Sequence, residues 1–107
     1  AEALDVAGNI KVTGKIATSS TIAIGSGSVG NSAGYYSIHI GHDSGKNDTG
    51  GNNVVMGFQA GAFQSKTNRT SIGSKSKAGN YSVAVGNDSS NGSSTDYSVL
   101  VGNKTAQ

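Results

Sequence analysis

The sequence predicts an all-β fold, a parallel β-solenoid of about six coils, and two observations lead to this prediction. Short apolar segments, each ending in glycine, recur along most of the chain. Between them lie small and polar residues that favour turns, and Gly, Ser, Asn and Thr make up 52 of the 107 residues. No stretch keeps apolar residues at helical spacing for three turns, so a compact helical domain is excluded.

Six three-residue segments and the glycines that follow them define the repeat. The segments occupy residues 22–24, 38–40, 54–56, 70–72, 83–85 and 99–101, and they end in Gly25, Gly41, Gly57, Gly73, Gly86 and Gly102. These glycines are 16, 16, 16, 13 and 16 residues apart. A small residue stands three positions after each of them: Ser28, Ser44, Ala60, Ser76, Ser89 and Thr105. Because glycine accepts a positive φ, the chain can turn sharply there. We interpret each unit as one coil, made of a strand, a turn, a short second strand and a return loop.

The side chains of each segment alternate between two faces. The first and third positions hold Ile, Val or Met in eleven of twelve cases, and Thr70 is the exception. A strand has a period of two, so this pair shares one face, which we expect to point into the core. The middle residues, expected on the opposite face, are Ala23, His39, Val55, Ser71, Ala84 and Leu100. On this assignment Val83→Asp abolishes folding, whereas Ala84→Asp acts chiefly through assembly.

The repeats and the residues before them form two regions. Residues 20–107 are predicted to form the solenoid. In residues 1–19, Leu4, Val6, Ile10 and Val12 alternate with polar or small residues, which predicts an N-terminal β-hairpin and connector. Each coil offers about two large apolar side chains against the ordering of ~16 residues at ~1–2 kcal/mol each. We therefore expect the chain to associate side by side with copies of itself.

Two parts of the repeat resemble known surface fibres. Residues 81–89, YSVAVGNDS, resemble the N-S-V-A-I-G-x-x-S head repeat of YadA-like trimeric autotransporter adhesins, and residues 20–28 are similar. Residues 51–61 resemble the G-N-N-x-x-x-G-x-x-A repeats of phage tail fibres, and residues 4–14 resemble the segment that precedes distal domains in such fibres. The resemblance implies a left-handed β-roll in an intertwined or side-by-side homotrimer. It also implies a place on a bacterial surface or a virion, with adhesion or receptor recognition as the function.

Several other functions are disfavoured by the sequence. Eight basic residues against six acidic ones are scattered, so no basic stripe predicts nucleic-acid binding. No apolar run is long enough to span a bilayer, so we expect no membrane insertion. Residues 25–30 read G-x-G-x-x-G, but the poor helix former that follows disfavours a nucleotide site. We expect no cofactor and no enzymatic activity, because no pocket-forming pattern surrounds any acid, base or nucleophile.

The two histidines suggest a catalytic, metal or anion site as a weaker alternative. His39 and His42 lie in one coil near Asp43 and Asp48, but across a strand end their side chains should diverge, which disfavours a catalytic or metal site. In a trimer, His39 would occur three times near the threefold axis. Three imidazoles there would hold an anion when charged or a metal when neutral.

Specificity for a target glycan or surface protein is expected in the turns and in the return loops 43–52, 58–68 and 87–96. The candidate ligand-binding residues are Tyr35, Tyr36, Asp48, Phe58, Phe63, Asp96 and Tyr97. An exposed aromatic ring suits sugar stacking, although capping of coil edges or packing between chains is the favoured interpretation. Two alternatives remain for the whole chain, a purely structural fibre spacer and the receptor-binding segment of a phage tail fibre. An ice-binding solenoid is disfavoured, because flat rows of Thr are lacking.

Overall fold

A computed structural model of the chain describes residues 6–18, 20–28, 36–63, 65–90 and 96–105. It contains six three-residue strands: β1 (Ile22–Ile24), β2 (Ile38–Ile40), β3 (Val54–Met56), β4 (Thr70–Ile72), β5 (Val83–Val85) and β6 (Val99–Val101). The strands are all parallel and form one sheet in the order β1 to β6. The predicted all-β parallel solenoid is therefore confirmed.

The described residues form a solenoid of about four turns. The count of six coils stays a prediction, because the returns through residues 29–35 and 91–95 lie outside the described part of the chain. The second strand predicted in each coil is reduced, among the described residues, to one isolated bridge between Lys77 and Ser90. In the same described residues, no helix is long and apolar enough to cross a membrane.

Equivalent positions of successive repeats lie directly beside one another. Val54 pairs with Thr70, and Thr70 pairs with Val83, so the shorter 13-residue repeat keeps the register. The alignment continues past the strands, where the Gly57 amide donates to the Ile40 carbonyl at 2.8 Å. Equivalent strand positions therefore form ladders of side chains along the solenoid axis.

The glycine that ends each strand is required by two geometric conditions. At Gly57, φ is +127°, a region that side-chain-bearing residues rarely adopt. A Cβ at this position would lie 2.7 Å from the carbonyl oxygen of Gly73, the equivalent glycine of the next coil. The turn that follows places a non-glycine residue in the left-handed region, such as Lys75 with φ +58°. The predicted turning role of these glycines is confirmed.

The predicted inside and outside faces of the strands are reversed. The middle residues His39, Val55, Ser71 and Ala84 are fully buried inside the chain. The flanking residues of β2 to β5 are only half-buried, and those of β6 are exposed. The physical reason is the narrow cross-section of a coil, whose interior holds mainly small side chains. Large aliphatic side chains therefore lie on the outer surface of the sheet.

Hydrogen bonds rather than apolar packing fill much of the interior. Ten polar or charged residues are buried among the described residues, against five apolar ones. The Ser44 hydroxyl donates to the Val55 carbonyl at 3.0 Å, and the Ser76 hydroxyl donates to the Ala84 carbonyl at 2.7 Å. Buried backbone groups need such partners, which explains why serine recurs three residues after the glycines.

The N-terminal segment differs from its prediction. Residues 6–18 contain no strand, so the expected hairpin is not observed there, and residues 1–5 lie outside the described chain. Every residue of this segment is exposed, and its apolar members are Val6, Ile10, Val12 and Ile16. The described part of residues 1–19 therefore forms no independent core.

Replacement of Gly57 by alanine is expected to destabilise the fold strongly. The new Cβ meets the backbone of Gly73, and the positive φ adds strain of about 1–3 kcal/mol. Urea denaturation followed by circular dichroism measures the loss. Gly14→Ala is the matched control, because a Cβ there meets nothing within 4 Å. Equal stability of the two variants would contradict the close approach of the coils.

Candidate functional site

An apolar surface is formed by the outer face, defined here as the first and third residues of the six strands. Its two rows are Ile22, Ile38, Val54, Thr70, Val83 and Val99, and Ile24, Ile40, Met56, Ile72, Val85 and Val101. Ile24 is 57% exposed, and Val99 and Val101 are each 68% exposed. A contiguous apolar surface of this kind on a small chain indicates an interaction surface.

The aromatic candidates lie on two edges of the solenoid. Tyr36, Tyr81 and Tyr97 each stand two residues before a strand, and the parallel rings of Tyr81 and Tyr97 stack with centroids 4.9 Å apart. Phe58 follows a strand-end glycine and stacks on His42 at 5.6 Å. All five side chains are exposed, so these stacked edges are open to solvent. Tyr35 lies outside the described residues.

The two acidic candidates occupy different environments. Asp96 is exposed, and its Oδ1 accepts a hydrogen bond from the Asn80 amide at 2.9 Å. Asp48 is buried, contrary to its prediction as a ligand-contacting loop residue, because its carboxylate pairs with Arg69 inside the coil. The prediction for Asp48 is therefore wrong, since a ligand on the surface cannot contact this carboxylate.

Asp48 and Arg69 form an ion pair with both side chains fully buried. Arg69 Nη2 lies 2.8 Å from Asp48 Oδ2 and also donates to the Gly61 carbonyl at 3.0 Å. The carboxylate accepts two further hydrogen bonds, from Asn53 Nδ2 at 3.1 Å and from the Gly50 amide at 3.0 Å. Burial lowers the pKa of Arg69 and the nearby Asp48 opposes this, but an arginine remains charged.

Sequence reasoning missed Arg69 as a member of this cluster. The sequence did mark this residue. Arg69 is the single arginine of the chain, and it stands immediately before a strand, where other repeats hold Ser37, Asn53 or Ser82. These positions are buried as well. A buried arginine needs a carboxylate, but its partner lies 21 residues earlier and could not be assigned without the structure.

His39 lies beside this ion pair rather than at a molecular axis. Its side chain is buried within a single chain, so it has no exposed surface with which to meet two copies of itself. This corrects the expectation of a three-imidazole site. The pKa of His39 is lowered mainly because burial disfavours the charged ring; Arg69 adds to the lowering, and Asp48 and the Ser44 backbone oppose it. Among the described residues, no three metal-ligating side chains are grouped to hold an ion.

A groove on the turn side of the solenoid is a further candidate site in the described chain. Its volume is about 420 Å³, and it is lined by Gln59, Ala62, Phe63, Lys75, Lys77, Asp88 and Ser90. Lys75 and Lys77 have no described carboxylate within 4.0 Å, and the pair was missed in the sequence because lysines are scattered along it. Of the predicted candidates that the structure describes, only Phe63 lines this groove.

The backbone holds the groove in place through bonds between coils. The amide of Lys75 donates to the Phe58 carbonyl at 2.8 Å, and the amide of Lys77 donates to the Ser89 carbonyl at 2.9 Å. Side chains at such positions vary without changing the scaffold, as in other binding sites carried by rigid frames.

The fold and these surfaces define the class of this protein as a parallel β-solenoid with an apolar outer face and polar turns. No family model, curated protein or solved structure matches the chain.

Removal of Arg69 is expected to destabilise the protein by about 3–5 kcal/mol, since it leaves the Asp48 carboxylate buried without its partner. Arg69→Met, compared with the exposed-site control Lys104→Met, tests this by urea denaturation. The double variant Asp48→Asn/Arg69→Met should regain part of the loss. The single variant Asp48→Asn completes the comparison. If the destabilisation of the double variant equalled the sum of those of the two single variants, the pairing would be contradicted.

Acidification is expected to destabilise the fold through His39. Its pKa is lowered in the folded state, so below about pH 6.5 the unfolded chain takes up a proton before the folded chain does. The contribution of His39 to the free energy of unfolding should therefore be constant above this pH and should decrease as the pH is lowered further. The decrease ends once His39 is protonated in the folded state as well. Thermal melts against pH measure the slope. His39→Gln should reduce this slope.

Proposed function

We propose that the chain is a non-enzymatic module of a homotrimeric fibre, displayed on a bacterial surface or a virion, that adheres to a target cell. In this proposal the six repeats form six coils of a left-handed roll, and three rolls lie side by side with their long axes along the threefold. The outer face carries the proposal, because eleven of its twelve positions are aliphatic.

The interface proposed is the outer face rather than the face of the middle residues. Full burial of an aliphatic side chain stabilises a protein by about 1.5–3 kcal/mol. Packing of identical chains would cover both rows of the outer face and compensate for the thin, polar interior of the single chain. The number three comes from the resemblance of residues 81–89 and 51–61 to trimeric fibres.

Recognition of the target is assigned to the turns, which lie off the outer face. A trimer presents every exposed turn three times, so a weak contact at one site gains strength through multivalency. A purely structural spacer would use the same assembly but would bind no cell surface. Binding of the labelled 107-residue chain to target cells, compared with its binding to protein-free glass, separates these two functions.

Sedimentation equilibrium at micromolar concentration tests the assembly. We expect a mass of about three times the 10.6 kDa of one chain. Val83→Asp, on the outer face, should lower the mass toward that of one chain because a charge is placed in the interface. A stably folded wild-type monomer would overturn the proposal.

Ala84→Asp is the matched variant at the neighbouring position of the same strand. Its carboxylate would enter the fully buried interior, so circular dichroism should show loss of folding rather than loss of assembly alone. A folded, trimeric Ala84→Asp variant would contradict the corrected assignment of the two faces.

A further inference from the structure

We propose that the groove lined by Phe63, Lys75 and Lys77 binds a carboxylated sugar residue of a cell-surface glycan. This inference rests on the proposed adhesive function and assigns it a ligand class. Three properties of the groove lead to it: an exposed aromatic wall, two ammonium groups with no described carboxylate within 4.0 Å, and neighbouring polar groups suited to hydroxyls.

The aromatic wall is the ring of Phe63, whose main chain is hydrogen-bonded to the preceding coil. Phe63 is 62% exposed although it lines the groove, and its backbone adopts φ +58°. Its amide donates to the Lys46 carbonyl of the preceding coil at 2.7 Å. A phenyl ring at the edge of a polar groove offers a flat apolar surface against which the C–H face of a pyranose can stack.

The charge of the groove favours a single carboxylate. Lys75 and Lys77 contribute two positive charges, and Asp88 contributes one negative charge. No salt bridge joins Asp88 to either lysine in the described chain, so both ammonium groups are free to form charge-assisted hydrogen bonds with a ligand. The net charge of one suits one sugar carboxylate better than a dense polyanion such as a nucleic acid.

The remaining groups and the size of the groove fit a sugar. Gln59 and Asp88 offer an amide and a carboxylate for the hydroxyls of the ring. An acidic peptide lacks such hydroxyls and has no rigid ring face for Phe63. The volume of about 420 Å³ falls within the range of small-molecule sites. None of the lining residues belongs to a strand, so the outer face and the groove are separate surfaces.

Isothermal titration calorimetry of the 107-residue chain with defined oligosaccharides tests the proposal. The acidic probes are sialyllactose and trigalacturonic acid, and their neutral counterparts are lactose and the methyl ester of trigalacturonic acid. Each acidic probe is expected to bind more tightly than its counterpart, and about 0.5 M salt should weaken the difference. Amide shifts of Gln59, Lys75 and Lys77 in NMR spectra should locate the bound sugar in the groove.

Three variants separate the contributions of the groove residues. Lys75→Gln/Lys77→Gln should weaken acidic-sugar binding by about tenfold or more, since it removes charged hydrogen-bond donors. Phe63→Ala should weaken binding of all bound sugars, whereas Phe63→Tyr should retain it. Lys104→Gln is the control, because Lys104 occupies the same turn position as Lys75 but lies outside the groove.

The proposal is overturned if neither acidic probe binds more tightly than its neutral counterpart. It is overturned as well if tetraglutamate binds as tightly as the acidic sugars, which would indicate a site for acidic peptides. Sedimentation of the same samples separates this result from the proposed assembly. A trimer without acidic-sugar binding rejects the site alone, and a folded monomer that binds an acidic sugar rejects the trimeric fibre alone.

Discussion

The close approach of identical backbone positions in successive coils is the constraint on which the rest of the structure depends. Strands pair in register, and the strand-end glycines lie so close that a Cβ on Gly57 would meet the carbonyl of Gly73. This stacking satisfies backbone groups between coils, and it leaves each coil a narrow interior. Most of the buried side chains there are small, and several larger polar ones, such as Asn53 and Arg69, hydrogen-bond to Asp48.

Much of the unusual composition follows from this narrow interior. Serine is frequent because its hydroxyl fits the interior and satisfies carbonyls such as that of Val55. The one large charged group inside, Arg69, is accommodated because Asp48 and a carbonyl receive its hydrogen bonds. Aliphatic side chains are displaced to the outer face, and the proposed association with further copies would remove them from water. The narrow interior of each coil thus explains both the small, polar core of the single chain and the aliphatic outer face.

The turns carry the chemical variation that the strands cannot. Equivalent turn positions hold His42 and Phe58 in one stack and Asn87 and Asn103 in a hydrogen-bonded pair, while the backbone beneath them keeps one geometry. In the groove, residues separated by twelve or more positions, such as Phe63 and Lys75, become neighbours because one repeat lies beside the next. A repeat scaffold can therefore change its surface chemistry without changing its fold.

The sequence by itself determined the repeat, the turning glycines, the parallel solenoid and the placement of the aromatic residues outside the strands, because spacing and glycine chemistry are local properties. That the aromatic rings are exposed was decided by the tertiary structure. The sequence could not determine which strand face lies inside. A period of two separates Val83 from Ala84, but the volume inside a coil decides which of them is buried, and apolar character alone led to the wrong choice. The Asp48–Arg69 pair and the lysine groove were likewise decided only by the tertiary structure, since the coil path sets which distant residues meet.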